Sequence, residues 1–209
     1  MNAERFELAD VRAPRPVTST STVFEGRVWN VDSDDIDLGE AGRVTRDYVA
    51  HPGAVAIMAL NDNDEVFLVH QYRHPVRSEL WEPPAGLLDV EGEPLQAAAA
   101  RELFEEADLV ATTWHTLTDF YTTPGGSAEA IRIFLARGIS DVSAAERFVR
   151  EDEEADMVGR WVSLDDVLTA IARGKVACPT LLVGAFALDA ARRARWATLR
   201  PADSTWLRD

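Results

Sequence analysis

GLLDVEGEPLQAAAARELFEEADL, residues 86–109, changes character part-way along. From residue 93 a 3.6-residue period takes over. Pro94 suits a first helical turn and Ala97 to Ala100 are strong helix formers, so a helix is predicted over 93–108. At 100° per residue Glu102, Glu105 and Glu106 share one sector of roughly 100°, while Ala100, Leu103 and Ala107 fall on another that can face a core. Like charges at i and i+4 cost an isolated helix a few tenths of a kcal/mol. The acidic sector is therefore either fully solvated or neutralised by something positive, and on charge alone the solvated face is the simpler reading. Three features point the other way. The turn-forming run Pro83-Pro84-Ala85-Gly86 can aim a backbone carbonyl at the same place. Glu93 can meet Arg101 if it folds back at the helix start. A further acidic run, Glu151 to Asp156, follows downstream. Oxygen-only ligands of this kind suit Mg²⁺ or Mn²⁺, which bind few carboxylates together with waters and substrate phosphate.

Upstream, AVAIMAL (54–60) and EVFLVHQYR (65–73) read as strands paired in a hairpin across Asn61 to Asp64. FEGRVWNVDSDDIDLGEAGRVTRDYVAH (24–51) alternates well enough for two or three strands, with Gly39 and Gly42 marking a hairpin. VRAPRPVTSTST (11–22) reads as a flexible lead-in, order beginning near Val23. Downstream, strand-like runs cover 113–121, 129–136 and 157–163. Two helices follow, one over 164–173 stopped by Gly174 and one starting after Pro179 and running toward Trp196. Hairpin-rich strands with interspersed helices make an α+β pattern. The expected division is a lead-in over 1–22, a small β domain over 23–51, a main domain over 52–197 and a tail over 198–209.

Composition narrows the function. The 209 residues carry 36 acidic and 21 basic side chains, a formal charge of −15, and the pI near 4.6 argues against an extended nucleic-acid surface. A small phosphorylated ligand stays compatible if a divalent cation stands between its oxygens and the carboxylates. No apolar run approaches the roughly 20 residues of a membrane span, and the acidic N-terminus shows no secretory h-region. The single cysteine, Cys178, cannot form an internal disulfide, which fits a cytoplasmic location. His51, His70, His74 and His115 lack the spacing of a zinc site.

Gly86…Glu93…Arg101-Glu102-Leu103-Phe104-Glu105-Glu106-Ala107-Asp108-Leu109 resembles the box of the Nudix hydrolases: Gly, five residues, Glu, seven residues, then Arg-Glu-apolar-any-Glu-Glu-any-Gly-apolar. Two positions depart from it. Six residues separate Gly86 from Glu93, one more than the pattern, and Asp108 stands where the second glycine belongs. That second place ends the helix, where a left-handed residue is usual and Asp is tolerated. Neither departure removes a ligand. Gln71-Tyr72-Arg73, Trp81 to Gly86, Pro124 and Glu153-Glu154-Ala155-Asp156 further resemble the bacterial ADP-ribose pyrophosphatases of that family.

The resemblance implies a Nudix-type α/β/α sandwich preceded by a small antiparallel β domain exchanged across a homodimer. It implies Mg²⁺-dependent hydrolysis of ADP-ribose to AMP and ribose 5-phosphate. Two alternatives stand beside that: a broader nucleoside diphosphate sugar pyrophosphatase acting on GDP- or UDP-sugars, and a non-catalytic ADP-ribose-binding module, which the three intact box glutamates disfavour. By resemblance Glu102 and Glu106 are the main metal ligands, completed by the Ala85 carbonyl and Glu105. Glu154 activates water or binds another metal, with Glu153 as the second candidate. Glu93 and Arg101 pair to hold the loop against the helix. Arg73 grips a phosphate and Glu82 contacts substrate, or both are surface residues. Trp29 stacks on adenine or packs a dimer interface, and Pro124 with Gly125 lines the terminal ribose or only turns the chain.

Overall fold

A computed structural model describes residues 8–148, 157–206 and 208, and the chain divides into two compact units, Met1–Ala50 and His51–Asp209. The first unit is an antiparallel sheet of β1 (Val17–Glu25), β2 (Asn30–Asp37) and β3 (Arg43–Ala50), with β2 in the middle. A 3-10 turn, Gly39–Ala41, joins β2 to β3, and Gly39 and Gly42 take the positive φ angles that the hairpin needs, +69° and +90°. Val17 to Thr22, expected within the flexible lead-in, are instead strand. The hydroxyls of Ser19, Thr20 and Thr22 donate to Asp35, Asp34 and Asp32 of β2 at 2.8, 2.7 and 2.8 Å. The Ser/Thr run that reads as loop by composition is thus a ladder of cross-strand hydrogen bonds.

The second unit is built around β4 (Ala54–Ala59), all six residues of which are buried. Period-two alternation sends its side chains to opposite sides. Val55, Ile57 and Ala59 join Ala98, Ala99 and Leu103 of α1 (Leu95–Ala107), whereas Ala54, Ala56 and Met58 join Leu181, Ala185 and Leu188 of α3 (Pro179–Arg193). A strand apolar on both faces needs helices on both, which gives the α/β/α layering. Leu103, with no exposed surface, contributes about 2 kcal/mol of burial on its own. The five-stranded sheet runs β11-β8-β9-β4-β7, from β7 (Ala85–Leu87), β8 (Leu109–Tyr121), β9 (Ala130–Asp141) and β11 (Arg200–Pro201). Its β4–β9 pair is parallel. A second sheet, β10-β5-β6, contains β5 (Glu65–Arg73), β6 (Ser78–Glu82) and β10 (Val158–Ser163).

The expected hairpin of 54–60 with 65–73 is therefore a correction. Both strands form, but only the bridge Leu60↔Val66 joins them. β4 gives its edges to β9 and β7, and β5 turns into the other sheet. Helix α2 (Leu164–Ala172) is capped by Ser163, whose Oγ accepts the Asp166 N–H at 3.1 Å. The last residues, expected as a separate tail, belong to this unit: Arg200 and Pro201 pair with Thr116 and His115 of β8. No helix among the described residues is long and apolar enough to cross a membrane.

Candidate active site

Helix α1 carries the acidic face. Pro94 stands just outside it in extended geometry, and Asp108 closes it in the left-handed region (φ 54°, ψ 37°), donating to the carbonyls of Leu103 and Phe104. The opposite face packs through Ala98, Ala99, Leu103 and Ala107 into the core, and that packing fixes the direction of the glutamates. They are not solvated: Glu106 is 8% exposed and the side chains of Glu102 and Glu105 are 12% and 26% exposed. Partial burial of three carboxylates on one face is stable only with compensating partners.

Three kinds of partner are present. Glu106 Oε2 accepts the backbone N–H of Ala85 at 2.8 Å, so the loop ahead of the helix is tied directly to a box glutamate. Glu102 lies against Gly86, where a Cβ would overlap its carboxylate, so a larger residue there would have to push the Glu102 side chain aside. Arg101 is the third. Its Nε and Nη2 hold Glu93 at 3.2 and 3.0 Å, and its Nη1 reaches Glu102 at 2.6 Å and Glu105 at 3.1 Å. Glu93 does fold back at the helix start, and the extra residue before it is absorbed in the loop after β7. The hydrogen bond from Arg101, with its charge, holds the Glu93 carboxyl below the usual range, and the Arg101 guanidinium is held still more firmly in its charged form, first by Glu93.

The second sheet brings another charged group alongside. Gln71 and Arg73 alternate on one face of β5, and Glu82 stands on β6 opposite Val69. Arg73 clasps Glu82 through Nε at 3.1 and 3.2 Å and through Nη2 at 2.6 Å, while Gln71 Nε2 donates to Glu82 at 3.3 Å. Glu82 is buried and the Arg73 side chain is 45% exposed, so Glu82 orients a guanidinium that keeps an accessible face. The hydrogen bond to Glu82 raises the Arg73 pKa, and the Glu106 charge adds to it. Cys178, buried at the start of α3, sits in the same neighbourhood; burial pushes its thiol up, and both Glu82 and Arg73 act on it. Sequence reasoning left Cys178 as a small buried residue and missed its position beside this pair, because nothing local in the sequence links α3 to β5 and β6.

Pro124 and Gly125 form an exposed turn between β8 and β9, closed by Gly126 and Ser127 donating to the Thr123 carbonyl at 2.9 and 3.0 Å. Trp29 is half-buried in the connection from β1 to β2 of the first unit. Glu153 and Glu154 fall outside the described residues. Among the described residues no three Asp, Glu, His or Cys side chains stand as a finished ion-binding cluster. The donor set nevertheless fits a hard divalent ion: it is all oxygen, carried by glutamates, with Glu102 close against the backbone at Gly86. Arg101 occupies two of those carboxylates.

A sandwich with a glutamate-faced helix, an arginine hub and a glycine-tight loop defines a Nudix hydrolase. The model of the NUDIX domain matches residues 50–178, and the chain belongs to that family, whose members are generally dependent on a divalent metal. Among its relatives is the ADP-ribose pyrophosphatase of Mycobacterium tuberculosis (strain ATCC 25618 / H37Rv), 40% identical over 189 residues, covering 90% of this chain and 89% of the relative. The ADP-ribose pyrophosphatase of Bacillus subtilis (strain 168) is 36% identical, over 71% of this chain and 78% of its own length. A solved structure described as an ADP compounds hydrolase superposes with a TM-score of 0.72 over 90% of this chain and 98% of that one; at 18% identity the likeness is one of fold.

Proposed function

We propose that this protein hydrolyses ADP-ribose to AMP and ribose 5-phosphate with Mg²⁺, Mn²⁺ being a possible substitute, and that it acts as a homodimer in the cytoplasm. The observation that carries the reading is the half-buried face of Glu102, Glu105 and Glu106, with Glu106 bonded to Ala85 and Glu102 against Gly86. The two relatives named above lend it the substrate.

Glu102 and Glu106, with the Ala85 carbonyl and Glu105, would hold the metal. When bound, the ion supplies positive charge to the diphosphate oxygens and lowers the pKa of a bound water. Arg73, oriented by Glu82, offers its accessible guanidinium face to a phosphate oxygen. Glu154, or Glu153 in its place, takes the proton of the attacking water. The water oxygen bonds to one phosphorus while the bond from that phosphorus to the bridging oxygen breaks, and the bridging oxygen leaves with the other phosphate. Trp29 stacks on adenine, and Pro124 and Gly125 face the terminal ribose.

The test is a substrate panel with purified protein and Mg²⁺. ADP-ribose is expected to give AMP and ribose 5-phosphate with a kcat/KM at least about tenfold above that for GDP-mannose or UDP-glucose. Equal turnover of GDP-mannose defeats the narrow assignment, and binding of ADP-ribose without turnover defeats the enzymatic one.

A further inference from the structure

His51 stands just ahead of β4, with its side chain 6% exposed. Its Nδ1 accepts the Gly53 N–H at 2.9 Å, an i to i+2 bond of the kind that an Asn or Asp side chain makes in a tight turn. A ring nitrogen that accepts carries no proton, so the hydrogen of the neutral imidazole is on Nε2, which faces Glu129 Oε1 at 3.3 Å. Glu129 is held in turn by the Thr122 hydroxyl at 2.6 Å, and Arg208 Nη1 donates to the Pro52 carbonyl at 2.6 Å. From Gly53 the hydrogen bonds continue toward the acidic face. The Gly53 carbonyl accepts the Leu88 N–H at 3.0 Å, and β4 then pairs with β7, Ala54 with Leu87, Val55 with Gly86 and Ala56 with Ala85. At the other end of β7 the Ile57 N–H donates to the Pro84 carbonyl at 2.8 Å. Ala85 and Gly86 are the residues against Glu106 and Glu102. His51 thus stands at one end of the ladder that fixes both backbone positions.

We propose that His51 is a positioning residue for the reaction: its unprotonated Nδ1 holds Gly53, and through Gly53 and Leu88 it holds the strand that presents Ala85 and Gly86 to the box glutamates. This rests on the metal-holding role given above to Ala85, Glu102 and Glu106. A proton on Nδ1 removes the acceptor from Gly53, so the arrangement lasts only while the ring is neutral. Among the described residues the charged groups that face the ring are Glu129, from the β8–β9 connection, and Arg208, from the end of the chain. Burial keeps the imidazole below its usual range; Glu129 opposes this and Arg208 adds to it.

Two variants test it, assayed on ADP-ribose with Mg²⁺. His51→Asn puts Oδ1 where Nδ1 stands, keeps the bond to Gly53 and cannot titrate; His51→Leu removes the acceptor. His51→Leu is expected to lower kcat by about tenfold or more and to raise the Mg²⁺ concentration that gives half-maximal rate by at least about threefold. His51→Asn is expected to keep kcat at about pH 7.5 within about threefold of the natural protein. In acid the two part: the natural protein loses activity as His51 takes its proton, below the ordinary value of about 6.5, and His51→Asn holds its activity to a pH lower by about half a unit or more. An acid limb identical in the natural protein and His51→Asn overturns the inference while the proposed function stands, and so does a natural kcat and Mg²⁺ requirement in His51→Leu. If His51→Leu fails to fold, the two pH profiles decide. Absence of ADP-ribose turnover in the natural protein overturns the proposed function itself, and the inference with it.

Discussion

Two arginines, Arg101 and Arg132, each hold several oxygens, and they do so to opposite ends. Arg132, on β9, is 1% exposed and is fully engaged: it takes both oxygens of Asp119 at 2.7 and 3.0 Å and the carbonyls of Ser204 and Thr205 at 2.7 and 2.9 Å. Arg200 reaches the same Asp119 at 3.2 Å, so one carboxylate is met by two guanidiniums and the local balance is −1 + 2 = +1. Among the described residues Arg101 faces three carboxylates, Glu93, Glu102 and Glu105, with a balance of +1 − 3 = −2 before Glu106 is counted. The first arrangement is closed by hydrogen bonds and anchors the end of the chain to the sheet. The second leaves negative charge concentrated on one half-buried face, a condition that a divalent cation relieves. Ion pairing alone therefore does not distinguish a brace from a reactive site; the sign left over does.

Removing one charge from each centre separates them most sharply. Glu106→Gln keeps an oxygen that accepts the Ala85 N–H, so the fold is expected to survive, while hydrolysis falls by at least about a thousandfold, read as kcat on ADP-ribose alongside an unchanged circular dichroism spectrum. A fall below about tenfold would leave Glu106 a structural residue like Asp119.

Arg132→Met is expected to do the reverse. It leaves Asp119 to Arg200 alone and takes the donor from the Ser204 and Thr205 carbonyls, costing about 3–5 kcal/mol of stability in urea unfolding, with kcat per folded molecule changed by less than about twofold. A loss under about 1 kcal/mol would mean that Arg200, 42% exposed, takes over the Asp119 contact without help from Arg132.

How much of this was legible in the sequence follows from how local each feature is. Helix α1, the left-handed end at Asp108 and the strand Glu65–Arg73 depend on period and on neighbouring residues, and the spacing from Glu93 to Arg101 allowed their meeting. The Arg132 centre joins β8, β9 and the end of the chain, residues separated by 72 and 73 positions at the tail carbonyls, and no short-range pattern announces it. The misread hairpin has the same origin. Loop length and turn residues favoured pairing 54–60 with 65–73, but a strand buried on both faces sits inside its sheet with both edges hydrogen-bonded, and its partner β9 is far away in sequence. β1 was hidden for another reason: its Ser and Thr look like linker until the Asp row of β2 is placed opposite. The gathering of Cys178, Arg73 and Glu82 beside Glu106 again needs tertiary structure, since it joins α3, two strands and α1.

The smallest expected effect tests whether Arg101 serves the loop as well as the acidic face. Glu93 is held below its ordinary pKa by Arg101, so its folded value lies beneath its unfolded one. Such a carboxylate contributes stability above the unfolded pKa and loses that contribution as pH falls through the folded value. In Arg101→Gln the depression is gone. The stability gap between the natural protein and this variant should therefore be level from pH 7 to about 5 and narrow below about pH 4.5, the range in which an unperturbed glutamate takes up its proton. Asp35, held low by hydrogen bonds from Thr45 and Ser19, titrates in both proteins and cancels from the difference. Urea unfolding at steps of pH reads the gap directly. A gap that stays constant into acid would show that Glu93 gains nothing from Arg101 on folding.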